Sequence, residues 1–352
     1  MTSDGTALYV GTLTGTVVAL NTEGGRIWKW EPTVEQTGGS LFSCLCAAGG
    51  GGQFRAGMFY APPTVGNGTV YAAGLSGEVY AIDARTGNEV WKHNMETGIV
   101  GGVAVGNGTL FVGTSDGHLY ALDANAAAGG GGLKEGFEPF QAEDKIWSTP
   151  SLYDGVVYFG SLDHNLYAVD ADTGKPAWDA PFRTGGAVTS SPLVVDGVVY
   201  VGSFDSKLYA VDAATGSQKW AFDQATNWFW CEPVYDRGVV YACSLDHKVY
   251  AIDAESGNMT SSWPGPFDAG SPINSTPVIV DDTLVVASDN GLIYGIAVDT
   301  GKERWPHIDL KTKVFAPLCA DAGKVYVEGQ DNRLYKIDVA SGRQDLSASL
   351  SD

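Results

Sequence analysis

The sequence predicts an all-β fold, an eight-bladed β-propeller of four-stranded antiparallel blades. Three observations predict it. One phrase recurs down the 352 residues, with its tyrosine at Tyr80, Tyr120, Tyr167, Tyr209, Tyr250, Tyr294 and Tyr335, and a worn first copy holds Val18 in that slot. The steps between copies are 62, 40, 47, 42, 41, 44 and 41 residues, a period near that of propeller blades. Each period reads as short strands separated by turn residues.

The copy around Tyr167 shows the elements in order. Thr149, Pro150, Ser151, Leu152 and Tyr153 form a short first strand, and Asp154-Gly155 is a strong hairpin signal. A second strand over 156–160 and a third over 166–170 flank a turn at 161–165. Ala171, Asp172, Thr173 and Gly174 make another turn, and Lys175 to Trp178 begins the fourth strand. The repeated Asp (Asp83, Asp123, Asp170, Asp212, Asp253, Asp338) is expected to accept hydrogen bonds from turn amides. The repeated Gly (Gly87, Gly174, Gly216, Gly257, Gly301, Gly342) supplies a positive φ. The repeated Trp (Trp28, Trp91, Trp178, Trp220, Trp263, Trp305) is expected on the outer strand, cementing one blade to the next. These residues are structural.

The whole chain, 1–352, reads as a single propeller domain with insertions at about 31–57 and 124–146. Both insertions are rich in Ala and Gly, a composition that holds no core. Copies seven and eight are degraded: Ala297 holds the Asp slot and Leu346 the Trp slot, and copy three loses its Trp. Copy one starts at the hairpin, with residues 2–5, so the first blade is expected to be short of one strand. Either another segment fills the slot or the chain is part of a longer parent.

The chain carries 41 acidic and 21 basic residues, a formal charge of −20. That field repels phosphate backbones, so nucleic acid is not an expected partner. No run reaches the about 18 apolar residues of a membrane span, and no signal peptide is legible, which leaves a soluble chain of open compartment. Five cysteines, Cys44, Cys46, Cys231, Cys243 and Cys319, are too irregular for a disulfide framework and read as buried thiols.

The pattern Ala-x-Asp-x-x-Thr-Gly-x-x-x-Trp, in Ala168 to Trp178 and Ala210 to Trp220, resembles the pyrroloquinoline-quinone-like propeller repeat family. That resemblance implies the propeller over almost the whole chain, and no single function. The family includes quinoprotein alcohol dehydrogenases, the lipoprotein subunit of the bacterial outer-membrane assembly machine, kinase sensor domains and propellers fused to acyl-activating enzymes. Its dehydrogenases hold the quinone between a Trp and a disulfide of two adjacent cysteines, over calcium, with an Asp as base. This chain has no adjacent cysteines, since Cys44 and Cys46 are separated by Leu45. No other catalytic motif is present.

The residues preceding the first strands align as one row: Tyr60, Val100, Trp147, Thr189, Trp230, Asn274 and Phe315. Four aromatics at one level of the channel could either plug it or hold a ligand or partner side chain. Asp163-His164 and Asp246-His247 suggest metal ligands but occupy a hairpin position that other copies fill with Asp116-Gly117, Asp205-Ser206 and Asp331-Asn332, so turn chemistry explains them. Asn67 and Asn107, though they fit glycosylation sequons, replace the hairpin Asp.

The resulting expectation is a non-catalytic propeller in the branch similar to the outer-membrane assembly lipoprotein, a scaffold or subunit binding protein partners, with no cofactor and no metal. Its binding site is expected at the channel mouth, at Tyr60, Trp147, Trp230, Asn274 and Phe315, or on the long loops. The alternatives are a quinone- and calcium-dependent alcohol dehydrogenase, and a small-ligand sensor using the aromatic mouth.

Overall fold

A computed structural model describes residues 1–32, 58–127 and 130–350. Cys44, Cys46 and most of the first insertion lie outside these residues. The described residues form eight four-stranded antiparallel sheets, each built from strands consecutive in sequence. The inner strand of the first sheet neighbours those of the second and the eighth, so the sheets close into a ring. Among the described residues no helix is long and apolar enough to cross a membrane.

The first blade differs from expectation. Thr2–Ser3 forms a two-residue inner strand, pairing Thr2 with Tyr9 and Ser3 with Leu8, so the blade has four strands rather than three. The outer strand also differs in two blades. Trp178 and Trp263 precede the short fourth strands Phe182–Arg183 and Phe267–Asp268 instead of lying in them. The second insertion contains a fourth strand, Phe140–Gln141, and so belongs partly to blade three.

The core is not one body but eight clusters, each spanning two successive blades. A blade presents alternating side chains on both faces, and each face is covered by a neighbouring blade. The repeated residues act at these interfaces as a relay. Trp178 Nε1 donates to the Ala213 carbonyl of the next blade at 2.9 Å, and Trp220 to Ala254 at 2.9 Å. Trp28, Trp263 and Trp305 do the same to Ala84, Val298 and Val339. In several blades the second-strand tyrosine reaches the same carbonyl, as Tyr158 does to Ala213 at 3.0 Å.

The receiving turn is shaped for this contact. Asp212 Oδ1 accepts from the Thr215 amide at 2.9 Å and its hydroxyl at 2.8 Å, which holds the carboxyl below its ordinary range. Gly216, at φ 72°, then lies flat on the Trp178 ring. A Cβ there would stand 2.8 Å from Trp178 Cδ2, so the glycine is required by the neighbour's indole as well as by its own backbone. The first-hairpin turns also behave as read: Asn67 and Gly68 have φ of 50° and 75°, and Asp154 and Gly155 48° and 77°, the signature of a type I′ hairpin.

In blade two the bond to the next blade comes from Tyr71, to the Ala124 carbonyl at 3.0 Å, and two further blades lack the Trp and compensate. Blade three lacks the Trp, and Phe137 fills the space beside Phe111 at 6.0 Å between ring centres. At the closure between blades eight and one, Leu346 replaces the Trp and Lys336 replaces the small residue paired with it. Lys336 is buried, and its Nζ donates to the Thr22 carbonyl at 2.9 Å and pairs with Glu23 at 3.2 Å. Tyr326 donates to the same carbonyl at 3.2 Å. An ammonium thus does at the closure what indoles do elsewhere.

Two outcomes check this account. Trp220→Ala is expected to cost about 3–5 kcal/mol, as truncation of a buried aromatic does, and Trp230→Ala, at the channel mouth, much less; equal denaturant midpoints would show that Trp230 is also cement. Lys336→Ala is expected to cost about 1–3 kcal/mol by leaving a buried carbonyl with one donor fewer, measured by urea unfolding against Lys207→Ala. No difference between the two lysine variants would remove Lys336 from the closure.

Candidate functional site at the channel mouth

All seven residues of the aligned row line one cavity of about 600 Å³. The geometry follows from the repeat: each stands at the same point of the extended lead into an inner strand, so all come to one level of the ring. Two residues further along each lead, Pro62, Thr149, Ser191, Glu232, Thr276 and Pro317 form a second row lining the same cavity. A step of two in extended chain returns to the same face. Three of the residues between the rows, Ser148, Ser190 and Ser275, do not line the cavity and bond to backbone instead. Ser148 Oγ donates to the Gly160 carbonyl at 3.0 Å and accepts from its amide at 2.8 Å, and Ser275 Oγ donates to Ala287 at 2.8 Å. These clamps fix the leads to their second strands and so make the rim rigid.

The aromatic wall is larger than the row. Trp228 and Phe204 stack with ring centres 4.1 Å apart and planes at 9°, and Phe204 meets Trp230 at 5.5 Å and 23°. One face of Trp230 is therefore occupied by Phe204. Tyr60 and Phe315 are exposed at the rim, and Lys313 Nζ sits 6.0 Å over the Phe315 ring. Asn274 donates to both carboxylate oxygens of Asp289 at 2.7 and 2.8 Å, while burial raises the Asp289 carboxyl.

Two carboxyls in this cavity escaped the sequence reading. Glu232 belongs to the second row. Glu328 stands where the other blades carry Gly11, Ala73, Gly113, Gly160, Gly202, Cys243 and Ala287. In three of those blades the glycine is needed because the lead of the next blade packs on it: a Cβ at Gly160 would lie 2.3 Å from Val188 Cγ1. Desolvation pushes both Glu232 and Glu328 up to about 7. Neither carboxylate accepts a hydrogen bond or pairs with a basic side chain among the described residues, and the Met1 α-ammonium offsets part of the rise at Glu328. Both glutamates are half-buried, whereas Trp147 Nε1 and Thr189 Oγ1, on lining residues, are fully buried polar atoms without a partner.

The Asp-His pairs are turn residues. His164 and His247 take φ of 74° and 76°, and Asp163 and Asp246 accept from Tyr167 and Tyr250 at 2.8 and 2.6 Å. Among the described residues no three His, Cys, Asp or Glu side chains converge as metal ligands. Cys231, Cys243 and Cys319 are buried free thiols.

Comparison with known proteins places this architecture. A family model described as outer membrane protein assembly factor BamB matches residues 75–128, 141–261, 230–305 and 246–349. The chain belongs to the BamB family. Among solved structures, BamB from Moraxella catarrhalis is 19% identical, with a TM-score of 0.67 over 82% of this chain and 85% of that one. The computationally designed Ika8 protein is 14% identical, with a TM-score of 0.77 over 95% of this chain and 93% of that one. At these identities both are likenesses of fold. The comparison with curated proteins returned no match. The BamB-family match does not itself point to the cavity, which is defined by this chain's own departures from its repeat, Glu328 above all.

The raised carboxyls carry a stability consequence with a definite sign. A Glu near 4.5 when unfolded and about 7 when folded binds more protons in the folded state between those values. Stability is therefore lost as pH rises through that window, by about 2–3 kcal/mol for a shift of this size. Glu232→Gln removes the group that must ionise. Its thermal midpoint is expected to match the wild type at pH 4.5 and to exceed it at pH 8. A gain of equal size at both pH values would show that Glu232 does not titrate with a raised pKa.

Proposed function

We propose that this chain is a non-catalytic interaction propeller, acting as a scaffold or subunit of a larger protein assembly, with the channel mouth as its docking site. The observation that carries the reading is the rigid rim itself. Five aromatics, Tyr60, Trp147, Trp228, Trp230 and Phe315, surround a recess that also carries Glu232 and Glu328. Aromatic anchors in concave, rigid surfaces are where binding energy concentrates in protein interfaces. Membership of a family described as an assembly factor agrees with a setting among several proteins.

The site fits a quinone and calcium poorly. A calcium ion takes about six to eight oxygen ligands, and no convergent acidic set lies among the described residues. A flat cofactor also needs an open aromatic face, and one face of Trp230 is taken by Phe204.

The test is retention in an assembly. In gentle extracts of its source cells the chain is expected to sediment in a particle larger than its own 37.0 kDa. The Trp147→Ala/Trp230→Ala double variant, checked for an unchanged melting curve, is expected to lose most of that retention. A wild-type chain found only as a monomer would sink the proposal. Quinone- and calcium-dependent alcohol oxidation by the purified protein would replace it with the dehydrogenase reading.

A further inference from the structure

Resting on the interaction reading, we infer that the channel-mouth cavity receives a single basic side chain, a lysine or arginine, presented by the protein partner. Charge is the first support. Glu232 and Glu328 line the cavity, whereas no Lys, Arg or His does among the described residues. Glu232 has no charged or hydrogen-bonding partner among the described residues, and Glu328 has only the Met1 α-ammonium as an opposite charge, at a position where the other blades carry Gly, Ala or Cys. A cation arriving from outside supplies the partner that Glu232 lacks and adds to the one that faces Glu328.

The walls are the second support. Trp147, Trp228, Trp230 and Phe315 line the same cavity as the two carboxyls, and aromatic faces attract cations most strongly when water is excluded. Phe315 already holds an ammonium, that of Lys313, at 6.0 Å. A cation on a long aliphatic stem suits such a recess because its methylene groups pack on the rings while its head reaches the acids.

The third support is the long-range field: the net charge of −20 attracts a basic partner.

The test uses purified protein and three probes at pH 8 and low salt: acetylated and amidated Gly-Arg-Gly, the same peptide with uncharged citrulline for arginine, and tetramethylammonium. Tryptophan fluorescence and calorimetry read binding. The arginine peptide is expected to bind saturably and at least about tenfold more tightly than either other probe, the scale on which one buried charge pair acts. Glu232→Gln and Glu328→Gln are each expected to erase most of that preference. Glu303→Gln, on an exposed outer strand, is expected to leave it intact. Melting curves confirm that each variant folds. Equal affinity for the arginine and citrulline peptides, or no binding of either, overturns the inference. So does a preference that survives both glutamate variants. Tetramethylammonium binding as tightly as the arginine peptide overturns the polypeptide source and leaves a small-cation receptor. If no probe binds while Trp147→Ala/Trp230→Ala still releases the chain from its assembly, the cation inference falls and the interaction reading stands.

Discussion

One contact organises the molecule: an indole N–H of one blade bonded to a turn carbonyl of the next, beneath a glycine with no Cβ. Every part of the repeated phrase serves it. The Asp gathers the turn amides so that the carbonyl behind it points outward. The Gly admits the ring, and the small residue paired with the Trp, as Ala210 is with Trp220, leaves room for it in its own sheet. Burial of a large aromatic supplies the energy and the hydrogen bond supplies the register, so blades meet at one height and one angle. The level rim of the channel mouth follows from that alignment.

This explains what was legible in the sequence. A contact repeated at most interfaces must leave a repeated pattern, and the recurring phrase, with its Asp, Gly and Trp in most copies, showed the architecture. The row from Tyr60 to Phe315 was legible for the same reason: equivalent positions in equivalent blades reach equivalent places. The blade-three substitute was not legible, because Phe137 reaches its position from inside an insertion and matches no repeat position. Nor was the inner strand of blade one, since two residues are too few to show alternation.

The acids at the site were hidden for the opposite reason. Aligning copies draws attention to what they share, and Glu232 and Glu328 are what they do not share. Glu328 is visible once the question is reversed: a charged residue in a column of Gly, Ala and Cys breaks the repeat and pays desolvation that its small counterparts do not. Phe204 and Trp228 lie in turns between equivalent elements and needed the folded ring to bring them against Trp230.

Where the donor-to-carbonyl contact is made it runs in one sense, from a blade to its successor, and Lys336 keeps that sense at the closure. The interfaces are therefore heterologous: every blade has a giving face and a receiving face, and neither matches itself. Such units join head to tail without limit unless their rotation brings the last to the first. Nothing in an individual indole-to-carbonyl bond counts to eight. Blade number is set by the wedge angle between neighbouring sheets, and an ancestral ring of this kind can gain or lose whole blades by duplication or deletion while every seam keeps the same chemistry.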